Sequence, residues 1–517
     1  FYIMNITKFL VFTLIYFLVF NHNLIGQKNE KIKYKADELE YLKINKDPVR
    51  KLKFNVEFVQ GKTKIKCDSA YYFNKKKIME AYGNVIITDE DSLLITANKL
   101  IYNGNNKIAD LFGEVRYSKN NNILETNYLI YDLKNKIGSF KEGGKLFDNN
   151  NVLSSDYGKF YSDRNYSEFN QNVELVSPEY TLQSDTLEYN SNTKIAYTFG
   201  QTIIITKDST ILNAKGGEFI TDIKFSEFDK STIETNEYFL KADEITLNKS
   251  KEFYSVSGNV KLISKLSNYI IMGSKGFYDK KNNITKIYDN PLLKKIIPND
   301  TFYLSSDTII AFEHINESYR KVVAFNDVKM IKENFEGKAD SISYFIKDSL
   351  IYMFKDPIVW NNKNQISSDT ISFIFFDNLI NKMILNRNSF IISSDTMNNY
   401  NQIKGRNMTS YFDENNFMKK IEVNGNGESI YFALNDSGNS IIGLNYMICS
   451  DMNISFENNE IKNITFYKNP NAKLIPPQEI SDDDLFLNGF KLRENERPIL
   501  EEVVYYFRKK IYLPNEK

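Results

Sequence analysis

The residues that could do chemistry in this chain are acidic and amide side chains that recur at a regular spacing. Each follows a small residue and precedes apolar residues two and four positions later. The Asp or Asn of the early copies lies at Asp37, Asp68, Asn98, Asn127, Asp156 and Asp185, and later copies contain Asp243, Asp307, Asp340 and Asp369. A carboxylate repeated once per structural unit could form a ladder of calcium ligands.

Two features of the sequence argue against a metal ladder. The Gly-rich nonapeptide of calcium-binding β-helices is missing, and a neutral Asn replaces the acid at positions 98 and 127. Asp, Asn and Ser accept backbone hydrogen bonds where strands begin. We therefore interpret the repeated Asp as a residue at the start of a strand, and we predict no metal and no cofactor.

Histidine-based catalysis is poorly represented in this sequence. The two histidines are His22, beside an apolar N-terminal run, and His314, too few for a convincing catalytic triad or zinc site. Acidic pairs that cleave glycosidic bonds do occur on repeated strands of β-helix enzymes, but nothing here singles out a pair. We predict a protein that is not an enzyme and has no catalytic residues.

The elements that position these side chains are predicted to be short strands. The phrase returns about every thirty residues, which is typical of supersecondary units stacked on one another. In the unit from Ser184 to Asn213, Leu187 and Tyr189 alternate with polar residues as in a strand. Lys194–Phe199 and Thr202–Thr206 are predicted as two further strands, so one unit is expected to contain about three.

A second recurrent signal lies ten to seventeen residues after the Asp. It reads Tyr82-Gly83-Asn84-Val85 in one copy and Ser257-Gly258-Asn259-Val260 in another. Gly and Asn tolerate left-handed backbone conformations, which predicts a strand that turns a corner of a curved sheet.

Composition and charge limit the class of protein. The 517 residues are 42% hydrophobic and 14% aromatic, and 66 basic side chains balance 66 acidic ones. A nucleic-acid partner is not predicted, because such proteins normally carry a basic stripe. The two cysteines, Cys67 and Cys449, lie many repeats apart and are not expected to form a disulfide.

The two ends of the chain differ from the repeats. Residues 1–26 contain an apolar run from Phe9 to Phe20, which fits a secretory signal peptide, with a retained anchor as the alternative. At the other end, Pro498 is predicted to begin a short helix from Ile499 to about Lys510.

The repeated phrase and its corner resemble the OstA/LptA lipopolysaccharide-transport family, and in particular its long OstA-like members from Bacteroidota-type bacteria. The resemblance covers residues 27–475, followed by a C-terminal tail at 476–517, and the stretch from Leu487 to Pro498 is similar to the end of those proteins. A break in the array is predicted near residues 222–238, where the rhythm is interrupted.

The resemblance implies an all-β fold, a repetitive antiparallel β-jellyroll (β-taco) whose two facing sheets hold acyl chains in an apolar groove. It implies a periplasmic protein associated with the inner or outer membrane. The expected partners are lipopolysaccharide or a related glycolipid, and, end to end, other jellyroll proteins of the transport bridge or the outer-membrane translocon.

The residues expected to line the groove are the apolar positions two and four after the Asp or Asn. They are Leu39, Tyr41, Leu100, Tyr102, Leu129, Tyr131, Leu187, Tyr189, Ile245, Leu247, Ile342, Tyr344, Ile371 and Phe373. An alternative is that they only pack the interior of a structural or adhesive β-solenoid. A carbohydrate-active β-helix enzyme is a further alternative.

Overall fold

The computed structural model describes residues 31–504, except for gaps at 90–91, 120–121, 221–224, 237, 249, 266–268, 298–299, 313–319, 377–378, 416, 436 and 458–459. The fold is an all-β antiparallel jellyroll of many strands, as predicted. The chain divides into two compact units, with unit 1 ending at Thr193 and unit 2 beginning at Lys194.

The described part of unit 1 contains fourteen strands, most of them joined by tight hairpins. They are β1 (Lys33–Lys35), β2 (Glu38–Ile44), β3 (Asp47–Gln60), β4 (Thr63–Phe73), β5 (Ile78–Asp89), β6 (Leu93–Asn103), β7 (Ile108–Lys119), β8 (Asn122–Asp132), β9 (Ile137–Phe140), β10 (Gly144–Asp148), β11 (Asn151–Ser155), β12 (Tyr157–Tyr161), β13 (Tyr166–Val176) and β14 (Tyr180–Asn190).

Unit 2 contains the other strands of the described chain. They are β15 (Ile195–Thr206), β16 (Ile211–Ile220), β17 (Phe225–Glu234), β18 (Tyr238–Asn248), β19 (Phe253–Ser264), β20 (Tyr269–Asp279), β21 (Ile284–Tyr288), β22 (Leu292–Ile297), β23 (Asp300–Ser305), β24 (Thr308–Phe312), β25 (Lys321–Lys332), β26 (Phe335–Phe345), β27 (Leu350–Phe354), β28 (Ile358–Asn361), β29 (Asn364–Ser367), β30 (Thr370–Phe376), β31 (Leu379–Ser394), β32 (Tyr400–Phe412), β33 (Met418–Leu434), β34 (Ile441–Glu457), β35 (Glu460–Tyr467) and β36 (Asn471–Ile475).

The repeating element is a long strand bent in its middle, which differs from the three short strands predicted. The predicted strands at 194–199 and 202–206 are one strand, β15, whose register shifts between Phe199 and Thr202. Similar shifts lie between Lys66 and Ser69 of β4 and at corresponding places in neighbouring strands. A bulge bends the strand that carries it, so within each unit the bulges line up as a crease.

In each unit, the crease divides the bent strands into two facing walls. In unit 1 the first wall contains the halves of β4 and β5 that meet at turn 74–77, and the second contains the halves of β3 and β4 that meet at turn 61–62. Rings from opposite walls meet in the interior. The ring centroids of Tyr117 and Phe160 are 4.6 Å apart in unit 1. Those of Phe335 and Phe373 are 5.2 Å apart in unit 2.

Residues 476–498 form a C-terminal strap over the outer face of the second wall of unit 2. Leu487 is buried in a cluster with Phe390, Phe432 and Leu444 of that wall, and Phe490 packs against the same cluster. Short 3-10 turns at Pro477–Glu479, Asp482–Asp484 and Glu494–Glu496 shape the strap. The acidic stretch at 481–484 is therefore part of a docked segment.

Several sequence predictions concern where segments of the chain begin and end. Residues 500–504 are helical, within the segment where the C-terminal helix was expected, and residues 505–510 of that predicted segment lie outside the described residues. So do the predicted signal peptide and both histidines. Part of the predicted break at 222–238 forms β17, which pairs with both β16 and β18. The predicted domain bounds stay predictions.

Candidate functional site

The interior between the two walls contains most of the positions predicted to line a groove. Leu100, Leu129, Leu187, Ile245 and Ile371 have no exposed surface. Tyr102, Tyr131, Tyr189, Ile342 and Phe373 are also buried, whereas Leu247 and Tyr344 are half-buried. Strand alternation therefore directs twelve of the fourteen residues inward, and side chains fill the space between the walls.

Leu39 and Tyr41 differ from the other twelve. They are 42% and 73% exposed, although Leu39 lies opposite the buried Leu52 and Tyr41 opposite Arg50 in the register of β2 and β3. Within the described residues, β2 pairs only with β3. The apolar face of β2 is therefore open where the described array begins.

The repeated Asp lies at the crease. Asp37, Asp156, Asp307 and Asp369 each directly precede a strand, as expected, whereas the other copies lie within longer strands, so for those the expectation is wrong. Asp68, for example, lies in the middle of β4. Its Oδ2 accepts a hydrogen bond of 2.9 Å from Nδ2 of Asn84, in the corner of the next strand. Four further pairs repeat this contact, namely Asn55–Asp37, Asn172–Asp156, Asn259–Asp243 and Asn388–Asp369. The two recurrent sequence signals thus meet at the crease.

The corner residues have the backbone conformation that the sequence predicts. Gly83 and Asn84 have φ angles of 73° and 42°. A Cβ atom on Gly83 would lie 2.3 Å from Oδ2 of Asp68. Glycine is therefore required here both by the left-handed backbone and by the approach of the carboxylate.

The walls of unit 1 are also linked at their rims, which lie opposite the crease. Tyr102 of the first wall donates a hydrogen bond of 2.7 Å to Oε1 of Gln60 in the second, and Nε2 of Gln60 donates to the carbonyl of Gly104. Farther along the array, the hydroxyl of Tyr189 donates to Oδ2 of Asp148 across 2.5 Å. These rim bonds were not predicted from the sequence.

Burial controls the ionisation of side chains in the interior. It raises the pKa of Tyr117 and Tyr131, which approach each other across the walls of unit 1. It also raises the pKa of the Cys67 thiol to about 12. These groups are therefore neutral at physiological pH, as an apolar interior requires.

The described residues include neither a group suited to hold a metal ion nor a helix suited to cross a membrane. No group of three or more His, Cys, Asp or Glu side chains in that part of the chain could hold a metal ion. Among the helices that the structure describes, none is long and apolar enough to cross a membrane.

Comparison with known families gives one match in each unit. Residues 28–185 match the family described as OstA-like protein. Residues 296–374 match the family described as LptA/(LptD N-terminal domain) LPS transport protein. The two matched segments are thus similar to OstA/LptA-like proteins of lipopolysaccharide transport.

Among solved structures, the chain is similar to LptH of Pseudomonas aeruginosa, described as the LptA homologous periplasmic component of the conserved lipopolysaccharide transport device. The match has 17% identity and a TM-score of 0.20, and covers 23% of this chain and 82% of LptH. No curated protein matches the chain.

Proposed function

We propose that this protein takes part in periplasmic delivery of lipopolysaccharide, or a related glycolipid, to the outer membrane, without catalysing a reaction. The acyl chains lie between the two walls of each unit. The observation that carries this proposal is the alternation along strands such as β14, where Leu187 is fully buried and Thr186 beside it is partly exposed. Every stacked strand of this kind extends the same apolar interior.

Acyl chains enter this interior when the walls separate. In unit 1 the rim contacts include side-chain hydrogen bonds such as Tyr102–Gln60, and a hydrogen bond of this kind contributes about 0.5–1.5 kcal/mol. Each acyl methylene removed from water contributes about 0.8 kcal/mol in return. A lipid with several long chains therefore offsets the loss of a few rim contacts.

The exposed apolar face of β2 supports an end-to-end partner. Leu39 and Tyr41 lie on the strand where the described array begins, and an open strand edge favours the addition of another strand. We propose that a jellyroll protein of the transport bridge, or the jellyroll part of the outer-membrane translocon, continues the array there.

One observation favours a second candidate, a structural β-solenoid. Residues such as Leu100, Leu129 and Ile371 have no exposed surface, so the interior is packed by the protein's own side chains. Depletion of the protein in the cell that produces it distinguishes the two. The transport function predicts that lipopolysaccharide accumulates before it reaches the outer membrane, whereas unchanged delivery would favour the structural role.

A further inference from the structure

The C-terminal strap crosses the second wall of unit 2 from strand to strand. In that wall the hydrogen-bonded order of strands is β36, β34, β33, β32, β31, β29, β28 and β26. The strap contacts β32 at Gln402, β29 at Gln365 and β26 at Lys338. Because β32 and β26 are four strand spacings apart, these contacts extend over about 19 Å of the wall. One segment of the chain thus joins strands that are not neighbours in the sheet.

Charged side chains hold the later part of the strap to the same wall. Lys338 and Glu336 of β26 form ion pairs of 3.1 and 2.9 Å with Glu496 and Arg497 of the strap. Arg493 lies 2.9 Å from a carboxylate oxygen in the corner between β27 and β28. Within the described residues, the hydrogen bonds and ion pairs between the strap and the walls go to the second wall or to this corner, and none goes to the first wall.

The strap leaves the second wall buried on both faces. Phe390 and Ile392 of β31 pack with the strap, while Ile391 between them packs in the interior. All four residues of β28, Ile358–Asn361, are buried. In β27 of the first wall, by contrast, only Met353 is buried and the other four residues are half-buried. Strands with more buried contacts open less readily, so the second wall should be the more rigid of the two.

The two walls consist of separate strands at this place. In the first wall β27 pairs with β30, and in the second β28 pairs with β29. The chain connects the two pairs only through the short corners at 355–357 and 368–369. Displacement of β27 and β30 therefore leaves the hydrogen bonds between β28 and β29 intact.

We propose that the strap holds the second wall of unit 2 in place, so that this unit opens by displacement of its first wall. The proposal rests on the proposed function, because entry of acyl chains requires the walls to separate. It adds the direction of that movement. The strap is thus a conformational device that restricts the motion to strands such as β27 and β30.

The test is hydrogen–deuterium exchange of the purified full chain, followed by mass spectrometry. Amides of β28 and β29 should exchange about tenfold more slowly than those of β27 and β30, because both faces of their wall are covered. Leu487→Ala removes a buried side chain of the strap and leaves the wall itself unaltered. This variant should speed exchange in β28 and β29 about tenfold and leave β27 and β30 unchanged.

A second variant releases the strap through different contacts. Gln365→Leu/Gln402→Leu should speed exchange in the same two strands, and Gln183→Leu in unit 1 is the matched control that should change nothing in unit 2. The amide of Arg493, which donates to Gln365, reports detachment of the strap in the same measurement. Equal exchange in the two strand pairs of the unaltered chain would overturn the proposal. So would unchanged exchange of β28 and β29 in variants whose strap has detached.

The unaltered chain is then measured with lipopolysaccharide. Binding should change exchange in β27 and β30 and leave β28 and β29 unchanged. A change confined to β28 and β29 would overturn the proposal and leave the proposed function standing, because the lipid is bound. No binding, with the difference between the two strand pairs retained, would overturn the proposed function and leave only the hold of the strap on the second wall.

Discussion

Nδ2 of Asn84 donates a hydrogen bond of 2.9 Å to Oδ2 of Asp68, so that the two recurrent signals of the sequence meet at the crease of the jellyroll. The contact joins the bend of one strand to the bend of the next, sixteen residues along the chain. Equivalent pairs occur in both units. The period of the sequence is therefore the period of the crease.

Substitutions at the crease should destabilise unit 1 in a defined order. Asp68→Ala removes the contact with Asn84 and should lower the free energy of unfolding by about 0.5–1.5 kcal/mol, whereas Asp68→Asn keeps an acceptor oxygen and should cost less. Gly83→Ala should cost about 1–2 kcal/mol for its left-handed backbone alone, and more because its Cβ meets Asp68. Urea unfolding measures these changes. The collision predicts that Gly83→Ala lowers the free energy of unfolding more when Asp68 is present than in the Asp68→Ala background. An equal or smaller decrease with Asp68 present would show that the collision does not occur.

Docking of the C-terminal strap should depend on two buried glutamines. Gln402 donates from Nε2 to the carbonyl of Leu485 and accepts from the amide of Leu487, both at 2.8 Å. Gln365 pairs in the same way with Lys491 and Arg493. Substitution of either glutamine by Leu leaves backbone groups of the strap unpaired. The free energy of docking of the strap should become less favourable by about 1–3 kcal/mol.

Trp360 provides the measurement for the strap. It is the single tryptophan and has no exposed surface, and it lies opposite Gln365 in the strand register. Emission from the double variant Gln365→Leu/Gln402→Leu should shift to longer wavelength, as water reaches the indole. Gln183→Leu in unit 1 is the control, and emission that remains unshifted in the double variant would show that the strap does not cover Trp360.

Acid should weaken docking of the strap, because Glu496 becomes protonated. Arg493 donates two hydrogen bonds to this carboxylate, at 2.6 and 2.8 Å, and lowers its pKa from 4.5 to about 2. Because the pKa in the folded state is the lower one, the stabilisation is fully present above about pH 4.5 and is lost as the pH falls towards 2. Trp360 emission between pH 5 and 2 measures this loss.

The variant Glu496→Gln isolates that contribution. The strap of this variant should dock less strongly at pH 5. Its Trp360 emission should change less on acidification than that of the unaltered protein. Glu336, which pairs with Arg497, acts in the opposite direction because burial raises its pKa, and it is unchanged in both proteins. Identical acid profiles for the two proteins would contradict the assigned role of Glu496.

The Cys67 thiol should react slowly in the folded protein. Burial raises its pKa to about 12, so very little thiolate forms at pH 8, and the thiolate is the reactive species. In a Cys449→Ser background, alkylation by iodoacetamide should be slow in buffer and should increase sharply in urea as unit 1 unfolds. Fast labelling without urea would show that the interior of unit 1 is open at β4.

The sequence predicts the parts of this fold that depend on nearby residues. Strand alternation places Leu187 and Ile245 in the interior, and the Gly-Asn pair at 83–84 predicts a left-handed corner. Both are set by residue type and immediate neighbours. The joining of two predicted strands into β15 could not be predicted in this way, because a bulge is defined by its pairing with another strand.

The contacts that were not predicted from the sequence join residues far apart in the chain. Gln402 meets the strap 85 residues away and Arg497 meets Glu336 161 residues away, and no local pattern encodes such distances. The rim pair Tyr102–Gln60 spans 42 residues. Buried polar residues such as Gln60 and Gln402 at strand positions were the available signal, since a buried amide requires a partner.

Photo-crosslinking in cells determines whether acyl chains lie between the walls. A photoreactive residue replaces Leu187 or Ile245, which face the interior, or their neighbours Thr186 and Thr246, which face outward. Lipopolysaccharide should be captured at positions 187 and 245 and much less at 186 and 246. Capture only at the two threonine positions, or equal capture at all four, would show that acyl chains do not lie between the walls.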